Sequence, residues 1–256
     1  MKTLWTHGCS FTADWYLPKS DGAPSVNNYT KFRDYLGGTL PDVWPQLLSN
    51  ELNMELKNLG EGGNSNYSIF ETVCKSSPFY KKGDVVIIGW TFLGRFRQLD
   101  DNTHSHRRFR LDENWGFTEV LPSNFNDYSG LLSLNTVQDI SVHRDNHRWK
   151  YEIHDYMKLI KSLATSVGFE LYFWSADDRI LHMKEDVESM RDYNIFFPDN
   201  RQGTFHELKK RGATSIMEEC NYIEDEAHMG ARGHEVQSRE FLGEIKRFRN
   251  LSLDVS

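Results

Sequence analysis

A chain of 256 residues suits one large α/β domain and can bury a sizeable core. Its 38% hydrophobic and 26% charged residues exclude a disordered chain and a membrane protein. The net charge of −7 argues against a nucleic-acid binder that works through bulk positive charge. No apolar run reaches the length of a membrane span. No apolar signal segment follows Met1, because His7 and Asp14 interrupt it, so a cytoplasmic location is expected. Cys9, Cys74 and Cys220 are odd in number and far apart, which fits reduced thiols rather than a disulfide framework.

Taken in chain order, Lys2 to His7 mixes β-branched, aromatic and aliphatic residues over a strand's length, and Gly8 breaks it. Gly8-Cys9-Ser10-Phe11-Thr12 follows. A serine just past a buried parallel strand stands where open α/β sheets place their ligands. A Gly-x-Ser sequence also serves as an ordinary turn cap. Ala13 to Leu40 is irregular and reads as a lid or binding loop. Pro41-Asp42-Val43-Trp44 opens a helix to about Leu52, with Trp44, Leu47, Leu48 and Leu52 on one face.

Glu55 to Leu59 reads as a second strand. It runs into Gly60-Glu61-Gly62-Gly63-Asn64-Ser65-Asn66, whose glycines are spaced wrongly for a dinucleotide fingerprint. A helix from about Asn66 to Lys75 then carries Ile69, Phe70 and Val73 inward. Val85 to Trp90 is an unbroken apolar run and fits a central parallel strand buried on both faces. Thr91-Phe92-Leu93-Gly94-Arg95 lies at its carboxyl end.

The stretch 96–149 holds many aromatic and charged residues but little sustained period. It reads as an insertion that covers the site and selects substrate. Its histidines, His104, His106, His143 and His147, lack the four well-placed ligands of structural zinc, and no cysteine is near. Neither metal nor other cofactor is expected. A helix from Trp149 to Val167 carries Tyr156, Leu159, Ile160 and Leu163 at helical spacing and is stopped by Gly168. Phe169 to Ser175 is a fourth strand, with Asp177 and Asp178 beyond it. Ile180 to Arg211 reads as peripheral and partly helical, Thr214 to Met217 as a fifth strand, and Gly233 to Arg249 as a last helix. The alternation of strand and helix implies a parallel sheet between two helical layers, a three-layer α/β/α sandwich.

Near the carboxyl terminus the chain reads Asp225-Glu226-Ala227-His228. An acid three residues before a histidine can orient the imidazole and stabilise the imidazolium, as nucleophilic catalysis by serine requires. The reading is Ser10 as nucleophile, His228 as general base and acid, and Asp225 as its orienting carboxylate. Cys9 is the nearest rival nucleophile. His234 opens the last helix and reads as a cap or packing residue.

Gly8-Cys9-Ser10-Phe11 together with Asp225-x-x-His228 resembles the SGNH (GDSL-like) hydrolase family. Asn58 through Ser65 is similar to that family's second block. Gly89-Trp90-Thr91 stands where its third block has Gly-x-Asn, so Thr91 replaces the asparagine. The resemblance spans the single domain, 1–256, with 96–149 as an insertion that has no counterpart.

The resemblance implies a flavodoxin-like sheet of five parallel strands in the order 2-1-3-4-5, which would bring residues 10, 63, 91, 225 and 228 to one edge. It also implies an oxyanion hole built from the Ser10 and Gly63 amides, with Thr91 as third donor. Arg95, just past the strand end, reads either as a contact to the oxyanion or to an anionic substrate group or as a structural ion pair, and Asn64 is an expected substrate contact. The implied activity is hydrolysis of a carboxylic ester through an acyl-enzyme, with a small acyl group such as acetyl on a carbohydrate as preferred substrate. Lipid or thioester hydrolysis is one alternative. A catalytically idle module that binds glycans or serves as structure is the other. The expected partner is a small-molecule or carbohydrate ester, without nucleic acid or membrane.

Overall fold

The structure is a computed structural model. It describes residues 1–15, 28–62, 64–91, 95–100, 105–111, 117–119, 146–176, 180, 193–197, 204–220 and 228–253. Its centre is a parallel sheet of four strands: β1 (Thr3–Gly8), β2 (Glu55–Gly60), β3 (Val85–Trp90) and β7 (Glu170–Ser175), in the order β2-β1-β3-β7. Register pairs Trp5 with Lys57 and Val86, and Val86 with Leu171, so the carboxyl ends of all four strands lie on one edge.

The sheet separates two cores because successive side chains of a strand point to opposite faces. On one face Trp5, Val86, Ile88, Trp90 and Phe173 meet helix α3 (Asn66–Ser76) and helix α4 (Asn146–Val167) through Ile69, Val73, Ile153, Met157 and Ile160. On the other, Leu4, Val85, Ile87, Tyr172 and Trp174 meet helix α2 (Trp44–Leu52) and helix α7 (Ala231–Leu253) through Trp44, Leu48, Val236, Phe241 and Ile245. All six residues of β3 are buried, as its apolar run implied. The α/β layering expected from the sequence is therefore present.

The turns that punctuate these elements have local causes. α2 ends on Asn53 in the left-handed region, at φ 51°, where a short polar side chain is tolerated. α4 ends on Gly168 at φ 87°, whose N–H donates to the Ala164 carbonyl at 2.8 Å and closes the last turn.

Three sequence expectations change. The main sheet has four strands among the described residues, not five. Thr214 to Met217 forms a single bridge, Ser215 to Met229, and then helix α6 (Ile216–Glu219). The Ser215 hydroxyl and the Glu218 carboxylate make a capping box there, and that local polar pairing outcompetes a β ladder. Beyond β7 a short piece takes the edge position instead, through one parallel bridge from Phe173 to Ile195.

The irregular stretch after Ala13 contains a helix, α1 (Asn28–Tyr35), whose Phe32 is fully buried against Ile216 and Cys220. The stretch without sustained period contains β4 (Arg95–Asp100), β5 (Ser105–Leu111) and β6 (Phe117–Glu119), an antiparallel sheet in that order. Helix α5 (Thr204–Lys210) precedes α6.

Candidate active site

The candidate nucleophile lies on a turn at the carboxyl end of β1. The N–H groups of Thr12 and Ala13 both donate to the Cys9 carbonyl, at 2.9 and 3.0 Å, and fold the chain back on the strand ends. Only glycine permits that approach. A Cβ on Gly8 would stand 2.2 Å from Thr12 Oγ1, and one on Gly60 would stand 2.5 Å from the Ala13 nitrogen. Cys9 and Phe11 turn into the core below, and Ser10 is left half-buried. Gly8 therefore does more than end a strand.

His228 reaches this turn from across the chain. Its Nε2 is 2.7 Å from Ser10 Oγ, a hydrogen bond between residues 218 apart in sequence. The imidazole packs against the Phe11 ring at 4.7 Å between centroids and edge-on to Tyr29 at 5.9 Å.

Its backbone is fixed by the segment that the sequence suggested as a fifth strand. The Ile216 N–H donates to the His228 carbonyl at 2.9 Å, and the Gly230 N–H donates to the Thr214 carbonyl at 2.9 Å. Glu219 completes the brace. Its carboxylate accepts from the Ala231 and Arg232 amides at 2.9 and 3.0 Å, where anionic charge suits the start of α7. Thr214 Oγ1 also donates to it, at 2.6 Å.

His234 stands apart from that pair. It is buried, its Nδ1 accepts the Trp44 backbone N–H at 3.2 Å, and Trp15 packs edge-on to it at 4.9 Å. Burial, reinforced by the neighbouring His228, pushes its pKa down to about 3. A neutral imidazole accepting a backbone proton is a packing and capping group, which is how its position in the sequence reads. His7, on β1, is likewise pushed down to about 3 by burial, with Tyr80 Oη 2.8 Å from its Nε2.

Thr91 is fully buried at the end of β3. The Asn66 carboxamide holds both of its backbone groups: Oδ1 accepts the Thr91 N–H at 2.8 Å and Nδ2 donates to the Thr91 carbonyl at 3.1 Å. Its hydroxyl is buried with no partner among the described residues. Asn64 is buried beside the nucleophile turn, its Nδ2 donating to the Gly8 carbonyl at 3.1 Å, and its Oδ1 has no partner among the described residues. Asp225, Gly63, Asp177 and Asp178 lie outside the described residues. So do the Arg95 side chain, His104 and His143, and the side chains of His106 and His147. Among the described residues no group of three or more His, Cys, Asp or Glu stands together as a metal site.

Asn58, Asn66 and Trp44 were not apparent as site residues from sequence. Asn66 opens α3 and so faces the strand ends. Trp44 Nε1 donates to the Phe11 carbonyl at 2.9 Å. The available signal was the place of Asn58 at the head of the stretch similar to the second block.

No family profile matches the chain, and no curated protein matches it in sequence. Solved structures with a similar shape include a lipolytic G-D-S-L family member from Veillonella parvula. It is 11% identical, covers 95% of this chain and 97% of that one, and has a TM-score of 0.45. An acetylxylan esterase from Geobacillus stearothermophilus is 15% identical, with 95% and 94% coverage and a TM-score of 0.47. A Bacillus subtilis protein is 12% identical with a TM-score of 0.46, and this chain spans 56% of its length. At these identities and scores none of the three assigns an activity to this chain.

Proposed function

We propose that this chain is a serine hydrolase that cleaves a carboxylic ester through an acyl-enzyme. The observation that carries the reading is the 2.7 Å contact between Ser10 Oγ and His228 Nε2 at the carboxyl edge of a parallel sheet. In the reaction, Ser10 Oγ attacks the ester carbonyl while His228 Nε2 takes its proton. The tetrahedral intermediate collapses, the C–O bond to the alcohol breaks, and the imidazolium returns the proton to the departing alkoxide. Water then attacks the acyl-enzyme by the same exchange, releasing the acid and restoring Ser10.

Asp225 orients the imidazole in this scheme. The Ser10 and Gly63 amides, with Thr91 as third donor, hold the oxyanion, and Arg95 and Asn64 contact the substrate. A small acyl group on a carbohydrate is the substrate class we favour, from the resemblance of the Ser10 and His228 motifs and the aromatic-rich stretch 96–149. No helix among the described residues is long and apolar enough to cross a membrane.

The test is a serine-directed fluorophosphonate, with the labelled residue identified by peptide mapping, beside turnover of a short activated ester. Label on Ser10 and turnover lost in Ser10→Ala support the reading. Label on Cys9 moves the nucleophile. Neither label nor turnover in folded protein overturns hydrolysis and leaves a binding module.

A further inference from the structure

We propose that Asn58 is the positioning residue of the nucleophile turn. The inference rests on the esterase reading of Ser10. Asn58 lies in β2 opposite Thr6 of β1 and spends all four of its hydrogen-bonding valences. Its Oδ1 accepts from Thr6 Oγ1 at 2.9 Å and from the Gly60 N–H at 3.1 Å. Its Nδ2 donates to the Thr12 carbonyl at 2.9 Å and to Asp14 Oδ1 at 3.0 Å.

The two halves of the carboxamide do different work. The acceptor side joins β1 to β2, which the strand ladder already does. The donor side leaves the sheet and grips the turn on the far side of Ser10. On the near side, the Glu61 N–H and Asn64 Nδ2 hold the Gly8 carbonyl at 3.2 and 3.1 Å. Ser10 is thus bracketed between two clamped residues, Gly8 and Thr12. Among the described residues the outer clamp has its side-chain origin in Asn58, and Trp44 Nε1 donates to the nearby Phe11 carbonyl. A fully satisfied polar group of this kind fixes one arrangement of backbone. Displacing a reacting group by about 1 Å costs on the order of 100-fold in rate.

Asn58→Asp keeps the size and both acceptors but turns an oxygen toward the Thr12 carbonyl and the Asp14 carboxylate. Fluorophosphonate labelling of Ser10 and kcat for a short activated ester are expected to fall together by about 10- to 100-fold per folded molecule, with KM little changed. Adding Asp14→Asn converts one of the two repulsions back into a hydrogen bond, from the position-14 amide to the position-58 carboxylate. That double variant is expected to recover part of the labelling rate, a response that loss of β1–β2 contacts does not produce. Should Asn58→Asp fail to fold, Asp14→Ala at its exposed position removes one contact of the turn alone, with an expected slowing of about two- to fivefold.

Labelling of Ser10 at an unchanged rate in Asn58→Asp overturns the positioning role while leaving the esterase reading intact. If Asn58→Asp cannot be folded, an unchanged rate in Asp14→Ala does the same. Absence of label in the unsubstituted protein overturns the esterase reading and the positioning role with it.

Discussion

At the amino edge of the parallel sheet, the buried Asp84 carboxylate collects the Thr3 N–H at 2.9 Å, Trp5 Nε1 at 3.1 Å and the Lys81 N–H at 3.0 Å. At the carboxyl edge, Thr12 Oγ1, Asn64 Oδ1 and Thr91 Oγ1 are buried with no partner among the described residues. Buried polar groups are paired in the great majority of cases, and an unpaired one is costly. The two edges of one sheet therefore follow different rules. At the first, Asp84 gathers three donors and secures the fold. The other, which carries Ser10, leaves three buried polar atoms unpaired among the described residues.

The largest expected effect falls at the carboxyl edge. Ser10→Ala should lower turnover of a short activated ester by about 10,000-fold or more, the scale seen when a triad nucleophile is removed. Cys9→Ala, one residue away but turned into the core, should keep most of the turnover. The reverse pattern would break the comparison by making the edge's chemistry belong to the thiol. His228→Ala should also cost orders of magnitude, whereas His234→Ala should act mainly on stability, read as a drop in melting temperature.

Next comes the Thr91 hydroxyl. If Thr91 is the third oxyanion donor, Thr91→Val should lower kcat by about 10- to 1000-fold with KM little changed. A mild effect there with a severe one in Arg95→Ala would move the role to the guanidinium. A gain in turnover in Thr91→Asn would show that an asparagine at this position serves the oxyanion better than the threonine.

The amino edge should respond in the opposite sense. Asp84→Ala leaves the buried Trp5 indole N–H and two backbone amides without their acceptor. It should cost about 3 kcal/mol in urea denaturation. Turnover per folded molecule should not change. A loss of turnover in the folded variant would show that the two edges are not separable.

The smallest effect comes with pH. Burial holds His7 and His234 at about 3 in the folded state, against about 6.5 in the unfolded chain. The unfolded chain therefore binds more protons between those values. The stability of the neutral, buried imidazoles is fully present above pH 6.5 and is lost as pH falls toward 3. The expected slope is about 1.4 kcal/mol per pH unit for each histidine. Urea midpoints at pH 7.5 and 5.5 measure it, and His234→Asn should flatten the dependence by about half.

Much of the layering was legible in the chain because its causes are local. The apolar run of β3, the helical spacing of Tyr156, Ile160 and Leu163, and the stops at Gly8 and Gly168 each act within a few neighbours, although Leu159, at the same spacing, is exposed. They set strands, helices and their alternation. β4 and β5 escaped notice because Arg97, Arg107, Arg108 and Arg110 break any apolar period. Their pairing rests on backbone hydrogen bonds between two polar strands. Thr214 to Met217 misled for the converse reason: its β-branched residues suit a strand, but a serine and a glutamate three residues apart close a helix start first.

What the sequence by itself determined is a pair of motifs, Gly8-Cys9-Ser10 and Asp225-x-x-His228, and the alternating elements between them. Tertiary structure alone decided that Ser10 and His228 meet at 2.7 Å, that a helix–bridge unit braces His228, and that Asn58 grips the turn from the neighbouring strand. The first and last join residues 218 and 46 apart in sequence, and the brace pairs Ser215 with Met229 through an antiparallel bridge. No periodicity along the chain encodes such contacts, because they follow from the parallel register that sets the strand ends side by side.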